Sequence, residues 1–207
     1  MGLEFEERKF KITFTTPCLA MSPENKELYT QFIGQESENL EEELEMLPEE
    51  TTEKRKSKTI FHTDEEGIYF VNYQIKGFLK HAANVCKNML KVKALRSKVV
   101  DFLFVYPRFI WIKEKPDGQI ERPMIGQTAR GQRISLACSD YVNEGTSIEF
   151  ILRLYKHSEL TWDKIESILD YGGDQGIGCW RGGGNGSFTW ETISNGKISK
   201  KKKGGKK

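Results

Sequence analysis

The 207-residue sequence predicts an α+β fold with an antiparallel sheet, two main helices and one acidic insertion. Three observations carry this reading. Apolar residues alternate with polar ones at Phe10, Ile12 and Phe14, and again at Ile148, Phe150 and Leu152, the period of half-buried strands. Two stretches, 74–91 and 161–171, gather apolar residues on one side of a helix. The elements run strand, helix with insertion, several strands, helix, strand, an order that separates the α+β class from alternating βαβ folds.

The first strand is stopped by Pro17. "SPENKELYTQFIG" then reads as a short helix with Ser22 as N-cap, Pro23 in the first turn and Gly34 as its stop. From Glu24 to Glu53 there are eleven glutamates against Lys26 alone, a net of −10. Residues 36–58 are read as an acidic, flexible surface insertion, in which Leu40, Leu44 and Leu47 share one helical face. "KTIFHT" and Ile68 to Val71 supply two further strands. The clearest helix follows at 74–91, with Phe78, Leu79, Ala82, Val85, Cys86, Met89 and Leu90 on its inner side. Lys76, Lys80, Lys87 and Lys91 fall on the opposite side.

The stretch "DFLFVYPRFIWIKEKPDGQIERPMI" reads as strand and turn throughout, with "KPDGQ" as a hairpin turn. "RGQRISLACSDYVNEGTSIEFILRLY" adds two strands about a turn from Asn143 to Gly145. The next helix has Thr161 as cap, Trp162, Ile165, Ile168 and Leu169 as inner face and Gly172 as end. "SFTWETI" closes the fold as a strand.

The net charge of +2 hides three blocks. Without the seven lysines of 197–207, residues 1–196 carry −5. Residues 1–196 are read as one domain and 197–207 as a disordered tail. From Gly67 to Val100 there is no acid, while seven basic residues accumulate. No stretch approaches the roughly 20 apolar residues of a membrane span, so a soluble cytoplasmic protein is expected. Cys18, Cys86, Cys138 and Cys179 form no CxxC pair, and His62, His81 and His157 share no metal-ligand spacing. Neither a metal nor a cofactor is expected.

Eight of the fifteen residues from Gly172 to Gly186 are glycine. The lysine of a phosphate-binding P-loop is missing, and "GIGCWRG" follows a helix and precedes a strand, the reverse of a dinucleotide fingerprint. What remains is a backbone that a polyanion can approach closely, beside one guanidinium, Arg181, and one large aromatic, Trp180.

"IKGFLK" at the long helix and "GGDQGIGCWRGGGNGSF" before the last strand resemble the RAMP superfamily, RNA-binding proteins of CRISPR effector complexes. The family's helix motif corresponds to Ile75, Lys76, Gly77, Phe78, Leu79 and Lys80. Its glycine loop corresponds to Gly176, Gly178, Arg181, Gly183 or Gly184, Gly186 and Phe188. The resemblance spans most of residues 6–193 and implies a ferredoxin-like core whose loop and basic helix grip RNA backbone. The acidic stretch from Glu36 to Glu53 departs from that pattern.

The expected function is therefore binding of single-stranded nucleic acid, RNA before DNA. Gly176, Gly178, Gly183, Gly184, Gly186 and Arg181 would hold phosphates, and Trp180 would stack on a base. Lys76, Lys80, Lys87 and Lys91 would form a basic track that Arg130 and Arg133 extend. Self-assembly or membership of a larger complex, of a CRISPR or phage kind, is a corollary of the resemblance. Two rival readings are a metal-independent endoribonuclease using His81, or in second place His62, and an interaction or mimic module contacting its partner through residues 36–53.

Overall fold

The computed structural model describes residues 3–24, 58–128, 131–195 and 199–200, with side chains described except at 124–128, 131–135, 194–195 and 199–200. The first half contains β1 (Glu4–Phe14), β2 (Cys18–Leu19), β3 (Ser22–Pro23), β4 (Lys58–Ile60), β5 (His62–Thr63) and β6 (Ile68–Val71). Two helices, α1 (Asn72–Cys86) and α2 (Leu95–Phe102), come next. They are followed by β7 (Leu103–Tyr106), β8 (Phe109–Lys113), β9 (Gly118–Thr128), β10 (Gly131–Val142) and β11 (Ser147–Tyr155). Helix α3 (Trp162–Gln175), a 3-10 turn at Arg181–Gly183, β12 (Phe188–Asn195) and β13 (Ser199–Lys200) complete the described chain.

The main sheet has the order β12-β1-β11-β7, with β13 also pairing β1, and every pair is antiparallel. β1 is central because its alternation gives it one fully apolar face: Phe10, Ile12 and Phe14 are buried opposite Phe150, Ile148 and the last strand. Helices α1 and α3 cover that face. Phe10 meets Trp162 of α3 at 6.0 Å between ring centres, and Phe78 of α1 meets Phe188 of β12 at 5.6 Å. Two smaller sheets complete the fold, one ordered β2-β10-β4-β3 with β9 on β10, the other β5-β6-β8. The described residues thus form a mixed α+β fold of mainly antiparallel strands with three α-helices.

Several expectations are corrected by packing. Ser22 and Pro23 are strand, pairing with Ile60 and Thr59, because the Ser22 hydroxyl is taken up in a buried network with His62 and Gln74 rather than capping a helix. The rest of that expected helix, and the acidic segment up to residue 57, lie outside the described residues. α1 ends at Cys86 instead of running to Lys91; Lys91 adopts a left-handed φ of 52°, which turns the chain and lets Val92 enter the core. α2 was not expected at all. Its Leu95 and Val99 are buried, and Lys76 of α1 donates to the carbonyls of Val99, Val100 and Leu103 at its end.

"KPDGQ" turns the chain, but the strands on either side do not pair: β8 pairs with β6, and β9 with β10. Asp117 instead ties the turn to the β10–β11 connection, accepting from Lys113 Nζ at 2.8 Å and from the Asn143 amide at 2.8 Å. The turn at 143–145 likewise joins two different sheets. α3 passes through Gly172 and Gly173 to Gln175 because both glycines stand where neighbours come too close for a side chain.

Candidate nucleic-acid interface

The glycine-rich segment divides at a neck. The Gly176 amide closes α3 by donating to Gly172 O at 2.8 Å. The chain then runs against residues 15–19: the Cys179 amide donates to Leu19 O at 3.1 Å, and the Gly186 amide to Pro17 O at 2.8 Å. Ile177 N donates to Gly186 O at 2.9 Å, so the two sides of the neck are also joined to each other. A β-carbon on Gly186 would sit 1.7 Å from Ile177 O, which only glycine avoids.

Beyond the neck the segment is compact. Trp180 is left-handed (φ 54°), and the following 3-10 turn has Gly183 N donating to Trp180 O and Gly184 N to Arg181 O. Asn185 Nδ2 donates to Trp180 O and Gly183 O at 3.3 and 3.4 Å, which fastens the turn. The indole lies on Gly183, where an added β-carbon would come within 2.6 Å of the ring. Among the described residues no acceptor engages the amides of Gly178, Trp180, Arg181, Gly182 or Asn185. These form the outward donor set.

Arg122 of β9 places its guanidinium 5.1 Å from the Trp180 ring centre, a cation–π contact. Cys179 lies between Arg122 and Arg181; burial raises its thiol above the usual range, while both guanidiniums oppose that rise. No carboxylate among the described residues pairs with Arg122 or Arg181. By contrast Arg8 and Arg153 are each ion-paired, with Glu6 and Glu166 and with Glu7 respectively.

A cleft of about 330 Å³ opens beside this loop. Tyr73, Gln74, Gly77 and His81 of α1 form one wall, and Gly178 and Arg181 the other. Gly77 has open space where its β-carbon would be, so its absence widens the cleft. His81 Nδ1 is hydrogen-bonded to Gln175 Nε2 of α3, while the Gln175 Oε1 is buried without a partner among the described residues. Behind the wall, Gln74 accepts from the Val71 amide at 2.9 Å and donates to Ser22 Oγ at 3.2 Å, which is 2.9 Å from His62 Nε2. Burial lowers the His62 pKa to about 4, so its ring is neutral and the network holds Gln74 still.

The structure brings together Gly176, Gly178, Trp180, Arg181, Gly183, Gly184 and Gly186, and adds His81 to them across the cleft. The lysines stand elsewhere. At about 100° per residue, Lys76, Lys80 and Lys87 share a stripe turned about 100° away from Gly77 and His81. Lys76 is spent on the α2 carbonyls, and burial, with Lys80 adding to it, lowers its pKa to about 8. Lys87 and Lys91 are exposed past the end of α1. Arg130 and the Arg133 side chain lie outside what is described. Arg122 and Gln175 are the members that sequence reasoning missed. Arg122 lies in a strand far along the chain, and Gln175 stands in sequence past the expected helix end at Gly172, so neither carries a local signal.

Among the described residues no cluster of three or more His, Cys, Asp or Glu could hold a metal ion, and no helix is long and apolar enough to cross a membrane. Neither a family model nor a curated protein matches the sequence. Among solved structures, the chain is similar to one in a cryo-EM structure of the Type III-B Cmr-beta bound to cognate target RNA, at 10% identity and a TM-score of 0.49. The match covers 92% of this chain and 61% of that one, so the chain spans less than two thirds of its length.

Proposed function

We propose that the protein binds single-stranded nucleic acid, RNA in preference to DNA, through the glycine loop and the cleft beside it. One observation carries the reading: Arg122 stands over the Trp180 indole and Arg181 lines the adjacent cleft, both act on Cys179, and among the described residues no carboxylate pairs with either beside this run of unengaged amides. Cations left unpaired in a molecule that pairs its other described arginines on the main sheet call for an anion from outside. Phosphate meets the amides and guanidiniums, and the half-exposed indole, backed by Gly183 and Arg122, offers its exposed part to a base.

The finer fold reading supports this assignment. The strand order β12-β1-β11-β7, with α1 leading from β1 toward β7 and α3 from β11 to β12, supports reading the core as ferredoxin-like. With the helix and loop motifs in their family order, a RAMP-like RNA-binding protein is the particular member of that class we propose. Membership of a multi-subunit ribonucleoprotein is part of the same proposal.

Anisotropy of labelled single-stranded RNA and DNA tests it over a salt series. The Arg181→Ala, Trp180→Ala double variant and Arg122→Ala each lose at least tenfold in affinity, the value of about 1.4 kcal/mol. Each lost guanidinium also lowers the salt slope by about 0.7, as for one single-strand phosphate contact. A chain ending at Asn195, run in parallel, separates these effects from the tail lysines. Unchanged binding in both variants would remove the loop from the interface.

A second reading has its own observation. His81, held at Nδ1 by Gln175, shares the cleft with Arg181, a proton-transfer group beside a phosphate-stabilising one. A metal-independent endoribonuclease predicts that His81→Ala keeps RNA affinity and loses cleavage.

A further inference from the structure

Among the described residues, the main sheet has a second face that α1 and α3 do not cover. On β1 it presents Phe5, Glu7, Lys9 and Lys11, and on β11 their register partners Tyr155, Arg153, Ile151 and Glu149. Phe104 and Tyr106 of β7 lie beside Arg153 and Ile151. Two aromatic rings therefore flank one guanidinium, and two more pack beside them. Arg153 stands 4.6 Å from the ring centres of both Phe5 and Tyr106, and Tyr155 meets Phe5 at 5.5 Å and Phe104 at 5.7 Å. Phe104 and Tyr106 remain 39% and 38% exposed.

The charges on this face are balanced within the chain. Glu7 binds Arg153 at 2.6 Å, Glu149 binds Lys9 at 2.6 Å, and Glu191 of β12 binds Lys11 at 3.6 Å. Three cations meet three carboxylates, and at the β7 edge Lys76 Nζ, held by the α2 carbonyls, stands 5.0 Å from the Phe104 ring centre. A polyanion gains little on such a surface, and a charged protein surface would find no opposite field to meet.

From this balance we infer that the open face is a self-association surface, on which a second copy of this chain stacks its own open face. Two copies of a neutral face meet without repulsion, whereas two copies of the loop side would bring unpaired arginines together. The aromatic cluster with one neutralised arginine at its centre and ion pairs around it has the make-up of an interface core and rim. Its size is at the low end for a dimer. Nine register pairs join β1 and β11, seven join β1 and β12 and four join β11 and β7, which at about 4.8 Å between strands and about 3.4 Å per residue gives roughly 500 Å² per copy against the roughly 800 Å² of a standard interface. Sheets stacked face to face lie about 10 Å apart, close enough for Phe104 and Tyr106 to interdigitate. The two loop sides then point outward in opposite directions. The inference does not rest on the nucleic-acid reading.

Sedimentation velocity and light scattering on the full chain, free of nucleic acid, give the test. The wild type sediments at twice its 23.9 kDa mass, and Phe104→Asp or Tyr106→Asp weakens association at least tenfold while the far-UV spectrum is retained. If either aspartate variant fails to fold, Tyr106→Ser, at a half-exposed position, replaces it and carries the same expectation. Lys87→Asp, far from the face, leaves the dimer intact. A monomer at every accessible concentration overturns the inference, as does a dimer untouched by the sheet-face variants. So does a monomer whose RNA affinity falls in Phe104→Asp, since the face would then be a base-stacking platform.

Discussion

The glycines on the two sides of the loop neck differ in what they touch. Gly172, Gly178 and Gly186 are glycine because something already fills the space: the Phe78 ring 2.2 Å from an added β-carbon, Leu19 O at 2.4 Å and Ile177 O at 1.7 Å. Gly182, a few residues outward, has nothing within 4 Å. The inner set lets α3, the neck and residues 17–19 pack as solid structure; the outer set keeps a surface bare. A glycine cluster is therefore two devices placed end to end, and four of the five unengaged amides, all but that of Gly178, belong to the outer one.

The largest test of that division is Gly186→Ala. It combines the about 1–2 kcal/mol of a left-handed non-glycine residue with about 1–3 kcal/mol of overpacking, so about 3 kcal/mol of stability is lost in urea denaturation. An unchanged midpoint would mean the neck is not closed as described. Gly172→Ala gains up to about 1 kcal/mol of helix propensity but drives its methyl into Phe78, for a net loss of about 1–2 kcal/mol.

The wall behind the cleft gives a pH-dependent test on the inner, packed side. His62 is held neutral, with its folded pKa lowered to about 4 against about 6.5 unfolded. Between those values the unfolded chain binds more protons, so this contribution is fully present above pH 6.5 and is lost as the pH falls toward 4. Up to about 3 kcal/mol goes over that window, and His62→Gln flattens the acid limb of a stability–pH curve. Lys76→Met is milder: it leaves the α2 carbonyls unmet and costs about 1 kcal/mol, with nucleic-acid affinity unchanged because the ammonium faces α2 rather than the cleft.

How much of this was legible depends on how local the cause is. β1, β6, β11, most of α1 and the start of α3 follow from periodicity within a few turns of chain, and they stand where expected. α2 was hidden because Val99, Val100 and Phe102 favour strands by themselves; burial of Leu95 and Val99 and the Lys76 cap decide otherwise. "KPDGQ" was legible as a turn but not as a link between sheets, since pairing partners come from distant strands. In the site, composition pointed to the glycine loop, while the boundary between packed and bare glycines is set by Phe78, Pro17 and Leu19. Arg122 reaches the loop only through the fold.

The smallest expected effect is the sharpest for the comparison. Gly182→Ala adds a methyl where no protein atom lies within 4 Å and where φ is not in the left-handed range, so unfolding stability stays within about 0.5 kcal/mol of wild type. The same methyl adds bulk beside the Gly182 amide, which no acceptor among the described residues engages and which a phosphate must approach closely. Affinity for single-stranded RNA then falls about twofold to tenfold, the net worth of one hydrogen bond. A variant that is as stable as wild type and binds as well would leave the outer glycines without a ligand to serve. One that is destabilised like Gly186→Ala would erase the division at the neck, because the outer turn would then be packed against something as the inner glycines are.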